Sequence, residues 1–300
     1  MSTSNRQQIN QSLAALCKPL PIRRKIFNAF LSAIAFFLTV LALLPLLAIL
    51  IEILRQGIPH LKWEVFVSLP VPVGVEGESN GFANAIIGTL MMVGIASLLS
   101  IPFGVMTGIF LSEFSQGSAL GNFVRFITTI LTGVPSIIVG VFAYGVIVLN
   151  PITKGFSAIA GGFALSVLML PIVALTTEEA LKLVPTNQRL ASAALGASRL
   201  QTTFRVAVTT AIPAITTGIL LAVARAAGET APLLFTALFS QNWPEGLFSP
   251  TPALSVLIFN YANSPDVEQN QLAWTVSVVL VSLVLCMSII SRLVTRRRLN

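Results

Sequence analysis

Six runs of apolar residues divide this 300-residue chain, at about 27–54, 83–114, 123–149, 156–177, 206–239 and 272–294. Each reaches the roughly 20 residues a helix needs to cross hydrocarbon. All are read as helices, because a lipid-exposed backbone must satisfy its own hydrogen bonds. Pro45 is placed to kink the first run, and Pro102 falls in the inner half of the second. Gly133, Val134, Pro135 and Ser136 predict a kink or break in the third, Pro171 lies in the fourth, and Pro213 and Pro232 predict bends in the fifth. Gly88, Gly94, Ser97 and Ser100 give the second run a small-residue face suited to close packing.

The connections differ in character. Residues 55–81 carry Trp63, several prolines and glycines, and Glu64, Glu76 and Glu78; weak alternation over 63–69 allows a short strand or an interfacial segment. Residues 115–122 are a short link and 150–154 a tight turn. Residues 178–205 are amphipathic: Pro185, Thr186 and Asn187 start a helix over 188–195, Gly196 ends it, and Ser198 opens a second helical segment. Residues 240–271 form a loop without Lys or Arg, in which the apolar stretch 252–261 predicts a short helix or re-entrant piece. The chain divides into a basic tail (1–25), a first span with its outer loop (26–80), a transmembrane domain (81–295) and a basic end (296–300).

Composition makes this an integral membrane protein: 55% of residues are hydrophobic, 10% are charged and the mean hydropathy is +0.87. Ordinary soluble domains are about 25% charged. The net charge of +7 would suggest nucleic acid in a soluble protein. Here the cations cluster between apolar runs, so their partners are lipid headgroups and no nucleic-acid partner is expected. With both termini in the cytoplasm, fourteen Lys and Arg fall inside, three outside (Arg55, Lys62, Lys154), and Arg225 lies within a span. Seven acidic residues fall outside, three inside, and Glu229 lies within the same span. The charge distribution thus supports six crossings with both termini inside. Cys17, Cys286 and the lone His60 are too few and too scattered for a disulfide framework or a metal site.

The chemistry gathers in the fifth run. Arg225 and Glu229 are spaced i, i+4, so on a helix they share a face and can pair. A charge in hydrocarbon costs at least about 2.5–3.5 kcal/mol, and no other ionisable residue sits deep in a predicted span. The pair is either a structural lock or part of a solute path, in which the guanidinium offers its planar fork of donors to an oxyanion. On a straight helix from Val206, Arg225 lies about 28 Å along the axis, toward the outer side. Thr230 and Ser136 can line a path or bond their own backbone. Trp63, Trp243 and Trp274 read as interfacial anchors. A membrane enzyme acting on lipid phosphates, or a carrier working alone, fits less well: the first lacks nucleophiles at the surface, and the second leaves the amphipathic link without a role.

That link resembles the "EAA" loop of the permeases of type I ATP-binding-cassette (ABC) importers. Aligned on Gly196, the family Glu falls on Leu190 and its two alanines on Ala191 and Ser192; the Ile-x-Leu-Pro portion falls on Val206, Val208 and Thr209. The core from Ala194 to Thr202 and the segment Ala211, Ile212, Pro213, Ala214, Ile215 are close to the family form. The run from Ala224 to Ala237 resembles the phosphate-specific branch of that family. The resemblance implies an all-α transmembrane domain of six helices with a cytoplasmic coupling helix, in the cell (inner or plasma) membrane, and import of inorganic phosphate; sulfate, molybdate and phosphonate are the alternative oxyanions. It implies a PstC-like permease as heterodimer partner, two copies of a PstB-like ATPase and a periplasmic or surface phosphate-binding protein. ATP and Mg are expected on the ATPase and no cofactor on this chain, which lacks a P-loop. The resemblance makes a solute path the preferred reading of the residues, and Arg225, Glu229 and Thr230 are expected on the substrate path. It gives contact with the ATPase to Arg189, Leu190, Ala191, Ser192, Ala193, Ala194, Leu195, Gly196, Ala197, Ser198 and Arg199. It implies no catalytic residue on this chain.

Overall fold

The computed structural model describes residues 22–74, 80–115, 117–150 and 155–296. The start of the basic tail with Cys17, the acidic positions Glu76 and Glu78, the turn at 151–154, and Arg297 and Arg298 lie outside the described residues. The described elements are all helical. In order they are α1 (Ile22–Gly57), α2 (Ala83–Ile109), α3 (Ala119–Gly133), α4 (Ser136–Ala143), α5 (Ala158–Lys182), α6 (Thr186–Ala194), α7 (Arg199–Thr202), α8 (Val208–Gly228), α9 (Ala231–Thr236), α10 (Leu254–Ala262) and α11 (Val267–Arg296). π-helical turns extend α2 (Phe110–Phe114), extend α4 (Tyr144–Val148) and precede α8 (Thr203–Ala207). Two compact units result, Met1–Glu52 and Ile53–Asn300. Within the first, α1 runs unbroken through Pro45.

Among the described residues, five helical stretches are long and apolar enough to cross a membrane: Ile22–His60, Ala83–Phe114, Ala158–Lys182, Arg199–Gly228 and Val267–Ile290. The helices Ala119–Gly133 and Ser136–Val148 are bent by 104° at their break; counted as one broken span they bring the candidate crossings to six, and otherwise they form a re-entrant pair. The break falls where the prolyl ring demands it. A residue before proline is pushed out of the α region, and Val134 is extended (φ −70°, ψ 127°).

Glycines set the helix spacing. A Cβ on Gly108 would meet the Thr177 Cβ at 2.5 Å, and one on Gly104 the Val173 Cβ at 2.8 Å, so α2 and α5 touch through these positions. Gly88 backs onto the carbonyl of Pro252, whereas Gly94 faces open space. The small-residue face predicted from Gly88, Gly94, Ser97 and Ser100 is therefore only partly the packing face. The central cluster joins Met92, Leu165, Met169, Val173, Ala222, Ala226 and Leu233. A second, at the end that carries α10, joins Phe82, Leu254, Leu257, Tyr261 and Val276. A third, at the end that carries α6, joins Ile109, Leu181, Ala207, Ala211 and Ile215.

Three expectations need correction. The fifth run is not one helix to 239: α8 stops at Gly228, Glu229 is extended (φ −69°, ψ 133°), and α9 restarts with Pro232 at its beginning. A prolyl ring clashes with the carbonyl four residues back, here that of Gly228, and glycine already weakens the helix. Pro213, in contrast, stays inside α8. Residues 63–69 form no strand: Trp63–Phe66 is a 3₁₀ turn. The carbonyls of Val65 and Ser68 accept from the N–H groups of Phe82 and Ala83, so the segment caps the start of α2. The fourth span extends to Lys182, beyond the predicted 177, and so includes Glu178. The short helix predicted within 252–261 is present as α10.

Candidate functional site

The break after Gly228 places the two charges of the fifth run on a groove between α8 and α11. The groove has a volume of ≈ 580 Å³ and is lined by Ala224, Arg225, Gly228, Glu229, Leu280, Val281, Val284, Leu285 and Ser288. Arg225 is 61% exposed and Glu229 18%. They pair as their spacing predicts, but Glu229 does so from an extended residue just past the helix end. The Arg225 Nε lies 3.5 Å from Glu229 Oε1. That is long for a charge-assisted bond, which prefers about 2.7–2.9 Å. The terminal guanidinium nitrogens have no partner among the described residues, so most of the donor fork is free. The neighbours Ala224, Ala226 and Ala227 are buried against the bundle, which turns Arg225 outward from the same helix. The Glu229 main-chain oxygen accepts from Ser255 Oγ on α10 at 2.7 Å, which holds the break in place. Thr230 caps α9 through its carbonyl, which accepts from the N–H groups of Leu233 and Leu234.

The second site is the elbow at the basic end. Arg189, Leu190, Ala191, Ser192, Ala193 and Ala194 lie on α6. Leu195 ends it, and Gly196 turns the chain with φ +79°. The N–H of Gly196 donates to the Ala193 carbonyl and that of Ala197 to the Ser192 carbonyl, the paired bonds of a glycine-terminated helix. Ser198 caps α7 and makes a reciprocal box with Gln201, leaving Arg199 as the first residue of that helix. Ser192 Oγ and Thr202 Oγ1, 2.9 Å apart, tie the two arms together.

The elbow turns half-buried Arg189 and exposed Arg199 toward Glu113 and its leucines to the outside. Leu195 is 89% exposed, and Leu183, Leu190 and Leu200 are exposed beside it. Arg189 Nη1 pairs with the buried carboxylate of Glu113, and Nη2 donates to the Leu181 carbonyl at 2.8 Å. Arg199 Nη2 donates to the Glu113 main-chain oxygen, and its guanidinium lies 5.4 Å from the centre of the Phe114 ring. Of the expected contact set, the two arginines thus hold the elbow, and the apolar residues form its outer face.

Sequence reasoning missed a further buried charge. Glu178 on α5 is 1% exposed and accepts from Arg125 Nη2 on α3 at 2.6 Å and from Lys182 Nζ at 3.0 Å. Glu178 lies in the last turn of α5, so Arg225 and Glu229 keep their place as the charges deep in a predicted span. The available signal was the i, i+4 spacing of Glu178 and Lys182; the partner 53 positions away left none.

The chain belongs to the family described as binding-protein-dependent transport system inner membrane component, whose model matches residues 100–300. It is 40% identical over 271 residues to the phosphate transport system permease protein PstA of Haemophilus influenzae, covering 90% of this chain and 94% of that protein. It is 38% identical over 261 residues to the probable phosphate transport system permease protein PstA of Methanocaldococcus jannaschii, covering 86% and 89%. Its fold is similar to a chain of a bacterial alginate ABC transporter crystallised in complex with an alginate pentasaccharide-bound periplasmic protein (TM-score 0.65, 15% identity, 92% and 97% covered). It is also similar to a chain of the inward-facing MetNI methionine ABC transporter (TM-score 0.58, 21% identity, 72% and 95% covered).

Proposed function

We propose that this chain is the permease subunit of an ATP-driven phosphate importer and forms half of the transmembrane pathway. The observation that carries the reading is the arginine on the groove at the break of α8. A phosphate oxyanion accepts hydrogen bonds from a planar guanidinium fork, and the fork of Arg225 is mostly unoccupied. Glu229 at 3.5 Å balances the charge between passages without saturating the donors. As the anion arrives, Arg225 exchanges the loose carboxylate contact for phosphate oxygens; as it leaves, Glu229 takes the guanidinium back. Thr230, next in the chain, adds a hydroxyl near the break.

The groove is open along its length, and half a pathway needs another half. A PstC-like permease set against α8 and α11 supplies it. The elbow docks one of two PstB-like ATPase copies through its exposed leucines, and a phosphate-binding protein delivers the solute to the opposite end. ATP and Mg bind on the ATPase, and this chain contributes no residue to hydrolysis.

The test is uptake of labelled phosphate and labelled sulfate by the assembled transporter, with Arg225→Gln beside the native chain. The expected result is phosphate uptake that disappears in Arg225→Gln while ATP hydrolysis persists. Normal uptake by Arg225→Gln removes Arg225 from the path. Preferential sulfate uptake by the native complex replaces phosphate as the substrate.

A further inference from the structure

The elbow and the bundle meet at one acidic residue, Glu113, and both arms of the elbow reach it. Arg189, from α6, takes its carboxylate; Arg199, from α7, takes its main-chain oxygen. The second carboxylate oxygen accepts from Ser112 Oγ at 3.2 Å. The arms are themselves joined by the Ser192–Thr202 contact, and Thr210 Oγ1 on α8 donates to Gln188 Oε1 on α6 at 3.2 Å as a separate, neutral tie.

Glu113 reaches this position through a local irregularity. It lies in the π-helical turn Phe110–Phe114 that ends α2. One extra residue in a turn rotates the side chains beyond it by about 100° relative to an unbroken α-helix. Here it leaves Leu111, Ser112 and Glu113 all buried. The helix that carries Glu113 is the one locked onto α5 through Gly104 and Gly108. Arg189 completes the link by also binding the Leu181 carbonyl near the end of α5. A displacement of the elbow therefore loads α2 and α5 together, and charge-assisted bonds carry that load better than neutral ones.

We infer that Glu113 is the positioning residue through which movement of the elbow is transmitted to the helix pair α2 and α5. It touches neither substrate nor nucleotide; its carboxylate keeps Arg189 engaged, while Arg199 is held by the main-chain oxygen of the same residue. This rests on the reading that the elbow docks the ATPase. Replacing the carboxylate removes the charge of the clamp while leaving the leucine face of the elbow intact.

The experiment uses the whole transporter, with partner permease, ATPase and phosphate-binding protein, in phosphatidylethanolamine–phosphatidylglycerol vesicles. Phosphate uptake and ATP hydrolysis are measured on the same preparation. For Glu113→Gln the expected result is hydrolysis within about twofold of native and uptake per ATP reduced roughly tenfold, within the usual span of coupling between sites. Glu113→Asp, which keeps the charge but withdraws it by one methylene, is expected to recover part of the ratio. An unchanged ratio in Glu113→Gln overturns the inference. So does a parallel fall of uptake and hydrolysis, which a merely structural residue produces. If Glu113→Gln does not assemble, Glu113→Asp decides alone: a reduced ratio supports the clamp and a native ratio overturns it. Leu195→Cys carrying a photoreactive label, in the otherwise native chain with Cys17→Ser and Cys286→Ser, tests the docking separately. Failure to cross-link to the ATPase in a transporting complex overturns the docking reading, whatever Glu113 does.

Discussion

Ser255 donates its hydroxyl to the main-chain oxygen of Glu229 at 2.7 Å and so ties α10 to the broken end of α8. The bond satisfies a carbonyl that a continuous helix would have satisfied internally. It also fixes the direction from which Glu229 approaches Arg225.

Removing that hydroxyl has a defined consequence. Ser255→Ala is expected to lower stability by about 0.5–1.5 kcal/mol, the usual worth of one hydrogen bond. Phosphate uptake should fall more than the change in melting temperature of the detergent-purified transporter suggests, because the break loses its tether. Uptake and thermal melting, measured together, check this.

The planar fork of Arg225 is separable from its charge. Arg225→Lys keeps a cation at the groove but loses bidentate geometry. Its transport rate is expected to lie between those of the native chain and Arg225→Gln. Initial rates over a range of phosphate concentrations test the order of the three.

Two glycines of α2 should respond oppositely to the same change. Gly88→Ala drives a methyl into the Pro252 carbonyl and is expected to destabilise by about 1–3 kcal/mol. Gly94→Ala meets nothing within 4 Å and is expected to stabilise by roughly 0.5–1 kcal/mol, since alanine favours the helix. Melting temperatures in one detergent distinguish them.

Glu178 depends on a helix distant in sequence. Arg125→Met leaves the buried carboxylate with Lys182 alone. The expected loss is about 1.5–3 kcal/mol, as for a hydrogen bond to a charged group. The assembled transporter should melt earlier, while Lys182→Met, at the more solvated partner, should cost less.

The outer face of the elbow is testable without touching its clamp. Leu190→Ser with Leu195→Ser removes two exposed apolar side chains, each worth roughly 1.5–3 kcal/mol if fully buried by a partner. The permease is expected to accumulate normally in the membrane while co-purification of the ATPase drops sharply. Undiminished co-purification would remove these leucines from the interface.

The chain alone determined whatever depends on local composition. Runs of twenty or more apolar residues have one way to satisfy their backbone in lipid, so the crossings are read directly from sequence. Proline and glycine act on their immediate neighbours, so the break at Val134–Pro135 and the turn at Gly196 are legible too. The Arg225–Glu229 pair needed only a spacing of four. Tertiary structure decided what depends on residues far apart. Pro213 and Pro232 are alike in sequence, yet only Pro232 accompanies a helix end, where Ser255 supplies a bond to the exposed carbonyl of Glu229. Glu113 and Glu178 read as ordinary acids near span ends. Their roles come from Arg189, Arg199 and Arg125, 76, 86 and 53 positions away. Local pattern records a residue's own preference for water, lipid or helix. It does not record which distant charge meets it once the helices pack.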